Sequence, residues 1–73
     1  MKINNIDFEC TSLCEWQAKI GDNKTIVLYI FDDQKSRVEI REKNDKGWVL
    51  VSQSKLEDSP EIAVREALKE EEI

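Results

Sequence analysis

Residues 25–31 read TIVLYIF, a run of six apolar or aromatic residues after Thr25, flanked by Lys24 and Asp32. Side chains alternate between the two faces of a β-strand, so the run places large groups on both faces. One face receives Ile26, Leu28 and Ile30, and the other receives Val27, Tyr29 and Phe31. A chain of 73 residues has little material to cover two faces. The run therefore predicts a central strand with one face covered by the chain and the other available to a partner.

The segment before this run alternates between apolar and polar residues from Phe8 to Ile20, and only Leu13 breaks the pattern. A period of two predicts either one long strand or two short ones separated near residues 11–13. The turn-forming triplet Gly21-Asp22-Asn23 follows. We therefore predict strands over about 6–20 and 24–32, joined by a hairpin.

Two further strands are predicted after the central run. Val38 and Ile40 alternate with charged residues over 37–43, and Trp48 begins a short apolar run over 47–54. The sequence Asn44-Asp45-Lys46-Gly47 between them is a hairpin signal. Connections this short require antiparallel neighbours. The sequence predicts a four-stranded antiparallel meander, or a five-stranded one if a short N-terminal strand is added.

The end of the chain changes from a period of two to helical spacing. Ser59 is a good N-cap, and Pro60 suits the first helical position. An apolar stripe follows, formed by Ile62, Ala63, Val64, Ala67 and Leu68. We predict a C-terminal helix over 60–71, packed on one face of the sheet. The fold class is then α+β, in a single small domain over 1–73.

Composition is that of a small, acidic, folded domain. Hydrophobic residues make up 40% and charged residues 37% of the chain, with a formal net charge of −5. No apolar stretch reaches the roughly 18 residues of a membrane span, and the N-terminus lacks a signal-peptide core. We expect a cytoplasmic protein that does not associate with membranes.

The two cysteines, Cys10 and Cys14, would lie about 13 Å apart on one continuous strand, beyond disulfide reach. A bend at residues 11–13 would bring them closer. We expect two reduced, mostly buried thiols that act as small hydrophobes. Because the chain has no histidine, we predict no metal site and no cofactor.

Catalytic patterns are poorly represented. The chain has no histidine, no glycine-rich phosphate loop, and no serine or cysteine beside an evident base. Asp32 and Asp33 form the one candidate pair of carboxylates, and a cavity lined by either of them or by Glu57 would be needed for an enzyme. We predict a non-enzymatic protein and interpret the two aspartates as charges that end an aggregation-prone run.

Four residues near the C-terminus resemble the metal-binding signature of Nudix hydrolases, an Arg-Glu pair followed by further glutamates on a helix. They are Glu57, Arg65, Glu66 and Glu70. The resemblance implies metal-dependent hydrolysis. However, Val51 stands in place of the signature's glycine, Lys69 stands in place of a glutamate, and the chain is much shorter than that fold. We therefore interpret the helix as a solvent-facing surface rich in Glu and Lys.

The functional hypothesis that follows is a small interaction module of the adaptor or inhibitor type. Its open sheet face would meet a protein partner or a second copy of the chain through Val27, Tyr29, Phe31 and Trp48. Residues 55–73 carry seven acidic and three basic side chains, so the helix would add an acidic surface that helps to select the partner. Many small acidic inhibitors of this kind are made by phages.

The alternative hypothesis is binding of single-stranded nucleic acid. The hairpin over 35–46 carries five cations, namely Lys35, Arg37, Arg41, Lys43 and Lys46, against three acidic residues. Tyr29, Phe31 and Trp48 could then stack on bases. The order of four strands and a helix is also similar to the protomer layout of dimeric coactivators that bind single-stranded DNA. Against this hypothesis, an acidic chain repels phosphates.

Overall fold

The computed structural model describes residues 1–71, with side chains described through residue 69. The chain forms an α+β domain with an antiparallel sheet and one C-terminal helix, as the sequence predicts. The strands are β1 (Lys2–Ile3), β2 (Ile6–Asp7), β3 (Glu9–Ser12), β4 (Glu15–Gly21), β5 (Lys24–Ile30), β6 (Ser36–Asn44) and β7 (Gly47–Gln53), and the helix is α1 (Pro60–Glu71). Strands β3 to β7 form a five-stranded meander in chain order, and β1 pairs with β2 in a separate hairpin.

The predicted segment over 6–20 is divided into three strands. Its alternating part folds back at Leu13 and Cys14, where Ser12 of β3 pairs with Glu15 of β4. The prediction of two short strands is therefore correct, and that of one long strand is wrong. Leu13 breaks the alternation because it lies in this turn, where its side chain is 99% exposed.

The N-terminal hairpin is a feature that the sequence analysis did not predict. Asn4 and Asn5 join β1 to β2 with φ angles of 54° and 65°, the left-handed conformation that a two-residue hairpin turn requires. The hairpin brings Ile3 and Phe8 into the core beside the helix, and both are buried. Two asparagines between Ile3 and Ile6 are the local signal that could have revealed it.

Strand β5 lies at the centre of the sheet, as its apolar run predicts. Ile26 and Leu28 pair with Ile40 and Val38 of β6, and all four side chains are fully buried on the face that α1 covers. The helix contributes small residues to this core, namely Ala63, Val64 and Ala67. Small side chains let the helix axis lie close to the sheet, so a three-turn helix covers β5 and β6.

A short link between β7 and α1 holds the helix in place through backbone groups. Ser36 and Glu57 exchange two backbone hydrogen bonds of 2.8 Å, and Ser54 donates its amide N–H to the carbonyl oxygen of Val38 at 2.8 Å. Ser59 caps the N-terminus of α1, and its hydroxyl oxygen accepts the N–H of Ile62 at 3.3 Å. The link thus continues the β6 ladder past the end of β7 and places the first helical turn over the sheet.

The predicted burial of the two cysteines is wrong. Cys10 and Cys14 are free thiols, and both are exposed. Cys10 lies on the outermost strand β3, beyond the cover of the helix, and Cys14 lies in the turn between β3 and β4. The alternation assigned them to the inner face, but a residue on that face is buried only where another element lies above it.

Within residues 1–71, no helix is long and apolar enough to cross a membrane.

Candidate protein-interaction surface

The sheet face opposite the helix carries a polar layer, formed by Tyr29, Arg37, Glu39 and Arg41. Glu39 Oε1 accepts a hydrogen bond from Arg41 Nη2 at 2.7 Å and one from Tyr29 Oη at 3.3 Å. Arg41 Nη2 also donates to Tyr29 Oη at 3.1 Å, and Arg37 Nη2 lies 3.8 Å from Glu39 Oε2. The Arg37 guanidinium lies over the Tyr29 ring, 5.3 Å from its centroid. These contacts hold four side chains flat against the sheet.

The polar layer changes the predicted nature of this face. Val27 points to it, as predicted, but its side chain is only 1% exposed because the network and its cross-strand neighbours Gln17 and Glu39 surround it. The expectation of an accessible Val27 is therefore wrong. Tyr29 is half-buried, and only Phe31, one residue beyond β5, is an exposed aromatic of this run.

The same network shifts two ionisation equilibria. Burial raises the pKa of the Tyr29 phenol, and the nearby negative charge of Glu39 raises it further. The pKa of the Arg41 guanidinium is raised chiefly by its hydrogen bond to Glu39. Both shifts favour the protonated groups, so the network holds a neutral phenol between the Glu39 carboxylate and the Arg41 cation.

The exposed apolar surface lies on the outermost strand β7. Trp48, Val49, Leu50 and Val51 are consecutive and are each 42–53% exposed. Trp48 and Leu50 point to the face of the polar layer, opposite Lys43 and Arg41, whereas Val49 points to the helix face. The helix packs mainly on β6 and β5 and leaves these side chains open. We refer to residues 48–51 together with the unpaired outer backbone of β7 as the β7 edge.

Two structural details make the β7 edge unusual. Val51 has no partner in β6, because Ile40 pairs with Ser52 and Arg41 pairs with Leu50. Such a bulge increases the local twist of a strand. Outer strands usually discourage pairing with other chains through bulges, charges or proline, and this one has the bulge at Val51 but exposes four apolar side chains in a row.

Trp48 also forms one wall of a recess of about 440 Å³ on the polar-layer face. The charged residues Glu9, Lys19 and Arg41, which come from three strands, also line it, together with uncharged residues between them. The mixture of charges gives this recess no single electrostatic preference.

The five cations of the predicted nucleic-acid patch do not form one surface. Arg37 and Arg41 share Glu39, whose side chain is only 13% exposed. Lys35 precedes β6, while Lys43 is at its far end and Lys46 is in the turn beyond, so the lysines lie about 25 Å apart along the strand. The arrangement pairs the two arginines with one carboxylate, which offsets part of their charge, and separates Lys35 from Lys43 and Lys46.

The candidate catalytic acids are also separated. Asp32 and Asp33 line an open depression with Cys14 and Phe31, whereas Glu57 lines a different recess beside the helix. Among the side chains described, those of residues 1–69, no three cysteine or acidic groups converge in a way that would hold a metal ion.

The apolar residues of β7 were visible in the sequence on both parities, and the predicted meander already placed this strand last, but the sequence did not show that the helix would leave it uncovered. Comparison of the chain with family models, with curated proteins and with solved structures found no match. The function is therefore inferred from the geometry of this surface.

Proposed function

We propose that this protein is a non-enzymatic interaction module that binds a protein partner by strand addition at the β7 edge. In this mode an extended segment of the partner pairs with the free backbone of an outer strand, and its side chains pack beside those of the strand. The small size and the net charge of −5 fit an adaptor or inhibitor, of the kind that phages make. The proposed setting is the cytoplasm, where exposed thiols stay reduced.

The observation that carries the proposal is the exposure of four consecutive apolar residues on an outer strand. An outer strand with free backbone groups is a template for pairing. The apolar side chains on both of its faces would pack against side chains on both faces of the partner's strand. Trp48 is the natural centre, because tryptophan is strongly enriched among residues that dominate binding energy. Phe31 extends the apolar surface at the other end of the sheet.

The proposal is tested by placing a charge on the β7 edge. Leu50→Lys adds a cation where the leucine is 53% exposed, so we expect the fold to survive and binding to fail. The purified chain and the variant are compared as bait for partners from the native cell, and by sedimentation for self-association. Circular dichroism checks that the variant is folded.

Leu13→Lys is the matched control, because Leu13 is an equally apolar and fully exposed residue at the opposite side of the sheet. We expect it to retain every partner of the original chain. Loss of binding in both variants, or in neither, would show that the β7 edge is not the binding surface.

Single-stranded nucleic acid remains the second candidate partner, and exposed Trp48 opposite Lys43 is the observation in its favour. A base stacked on Trp48 would quench its fluorescence, and Lys43 would contact the phosphate. We expect only salt-sensitive, weak binding of an oligothymidine, since the chain is acidic overall. Tight binding that Lys43→Glu removes would favour this function over strand addition.

A further inference from the structure

A second apolar feature lies where β7 ends. Phe31 and Leu56 are 39% and 52% exposed, and both line a groove of about 530 Å³. Gln53 and Ser54 connect this groove to the last residues of β7. We call it the Phe31–Leu56 groove.

The groove is basic in an otherwise acidic molecule. Lys35, Arg37 and Lys55 line it, against a single acidic residue, Asp33. The carboxylate of Asp33 accepts the backbone N–H of Lys35 at 3.2 Å, so part of its hydrogen-bonding capacity is used within the turn. A groove lined by three cations and by one carboxylate that already accepts a backbone hydrogen bond favours an anionic ligand.

Arg37 adds a more specific requirement. Its Nε atom is buried and has no hydrogen-bond partner among the described residues, although its Nη2 lies near Glu39. A buried donor without an acceptor is unfavourable. The rest of the guanidinium is within reach of a ligand, since the Arg37 side chain is 37% exposed, and its planar shape favours a carboxylate.

We propose that the Phe31–Leu56 groove binds an acidic side chain of the partner segment that pairs with β7. This inference rests on the proposed function and adds the chemistry of the partner. The apolar part of the segment would lie along residues 48–51, and an acidic residue at its end would reach Arg37 and Lys55. From Val49 to Leu56 an extended segment spans about 23 Å, which corresponds to about seven residues.

Charge complementarity favours a different protein over a second copy of this chain. If two β7 strands paired antiparallel, the turn before each β7 would approach the end of the other. That turn carries Asp45 beside Lys46, so it brings no net negative charge to Lys55 and the other cations of the groove. A second copy paired in this way would therefore lack the acidic residue that the groove favours.

The test uses two blocked peptides of about eight residues in which Thr and Val alternate. One ends in two glutamates and the other in two lysines. Each is titrated into the nitrogen-15-labelled full chain and followed by the amide resonances. We expect the glutamate peptide to shift the resonances of residues 31–37 and 53–56 as well as those of β7. The lysine peptide should leave the groove resonances in place.

Two variants then test the cations. Arg37→Gln and Lys55→Gln should each weaken binding of the glutamate peptide by about two- to fivefold, as expected for a partly exposed ion pair. Lys55 is exposed, so Lys55→Gln keeps the test valid if Arg37→Gln affects folding. Lys69→Gln, which removes a charge from the exposed side of the helix, is the matched control and should bind normally.

The outcomes distinguish failure of the groove proposal from failure of strand addition at the β7 edge. Equal binding of the two peptides along β7, unaffected by either variant, would overturn the groove and leave strand addition standing. No shift of the groove resonances by the glutamate peptide would also overturn it. Shifts produced by an oligothymidine but not by the peptide would assign the groove to nucleic acid, and dimerisation lost in Lys55→Gln would assign it to a second copy.

Discussion

Glu39 organises the polar layer because its two oxygens serve three neighbours. Tyr29, Arg37 and Arg41 all lie against it, and its side chain is mostly withdrawn from water. The carboxylate therefore contacts two cations, offsets one of their two charges, and accepts a hydrogen bond from one phenol on a face that would otherwise expose Val27. The layer explains why a strand that is apolar on both faces needs cover from only one helix.

Alkaline pH should weaken the fold through Tyr29. Its pKa is raised by burial and by Glu39, so the folded state keeps the phenol protonated where the unfolded state has already ionised. The stability linked to this group is fully present below the unfolded value of about 10 and is lost as pH rises through the folded pKa. We expect the free energy of unfolding in urea to fall above that pH, followed by circular dichroism.

Tyr29→Phe is the control for this pH dependence, because it removes the titrating phenol but keeps the ring under Arg37. The stability of this variant should fall less steeply in the same pH range. An identical decline in both proteins would contradict the assignment to Tyr29.

At the scale of elements, the link over 54–59 decides where the helix lies. Ser54 acts as an extension of the strand: its hydroxyl oxygen accepts the N–H of Val38 at 2.9 Å and its hydroxyl donates to the carbonyl oxygen of Lys55 at 2.9 Å. Ser36 and Glu57 close the ladder beyond it. A segment without regular secondary structure thus connects β7 to α1 with few buried groups left unpaired.

Ser54→Ala should destabilise the protein by about 1–3 kcal/mol, because the buried N–H of Val38 loses its acceptor. The free energy of unfolding in urea, followed by tryptophan fluorescence, measures the loss. Ser52→Ala, two residues earlier in β7, is the matched control and should change stability far less. Equal effects of the two substitutions would show that the hydroxyl of Ser54 has no special role.

The whole molecule depends on a small core. The fully buried residues at its centre are few, and the chain of 73 residues should have a total stability of about 4–11 kcal/mol at 0.05–0.15 kcal/mol per residue. Any single core contact is therefore a large fraction of the total. The same shortage of material leaves β7 without cover.

Leu28→Ala should remove about 2–5 kcal/mol, because Leu28 is completely buried between the sheet and the helix. In a domain of this size we expect the melting temperature to fall by more than about 10 °C. Leu13→Ala changes the same residue type at a position that is 99% exposed, and its melting temperature should stay within a degree or two of the original. A small effect of Leu28→Ala would mean that the core is not centred on β5.

Several elements could be predicted from local signals. The alternation around Val38 and Ile40, the turn at Asn44 to Gly47 and the capped stripe after Ser59 match β6, the β6–β7 hairpin and α1. Each signal depends on residues that lie close together in the sequence, so it can be recognised without knowledge of the fold. The hairpin at Asn4 and Asn5 had such a signal too, although its docking against the helix depends on residues far along the chain.

By itself, the sequence determined the fold class, the central position of β5 and the extent of the helix, because periodicity and turn chemistry act locally. The tertiary structure alone decided which apolar residues are accessible. Val27 is covered because side chains from two strands meet above it, while residues 48–51 are open because β7 is outermost and the helix lies over β5 and β6. Exposure is a property of the neighbours in space, so the candidate binding surface could be located only after the chain was folded.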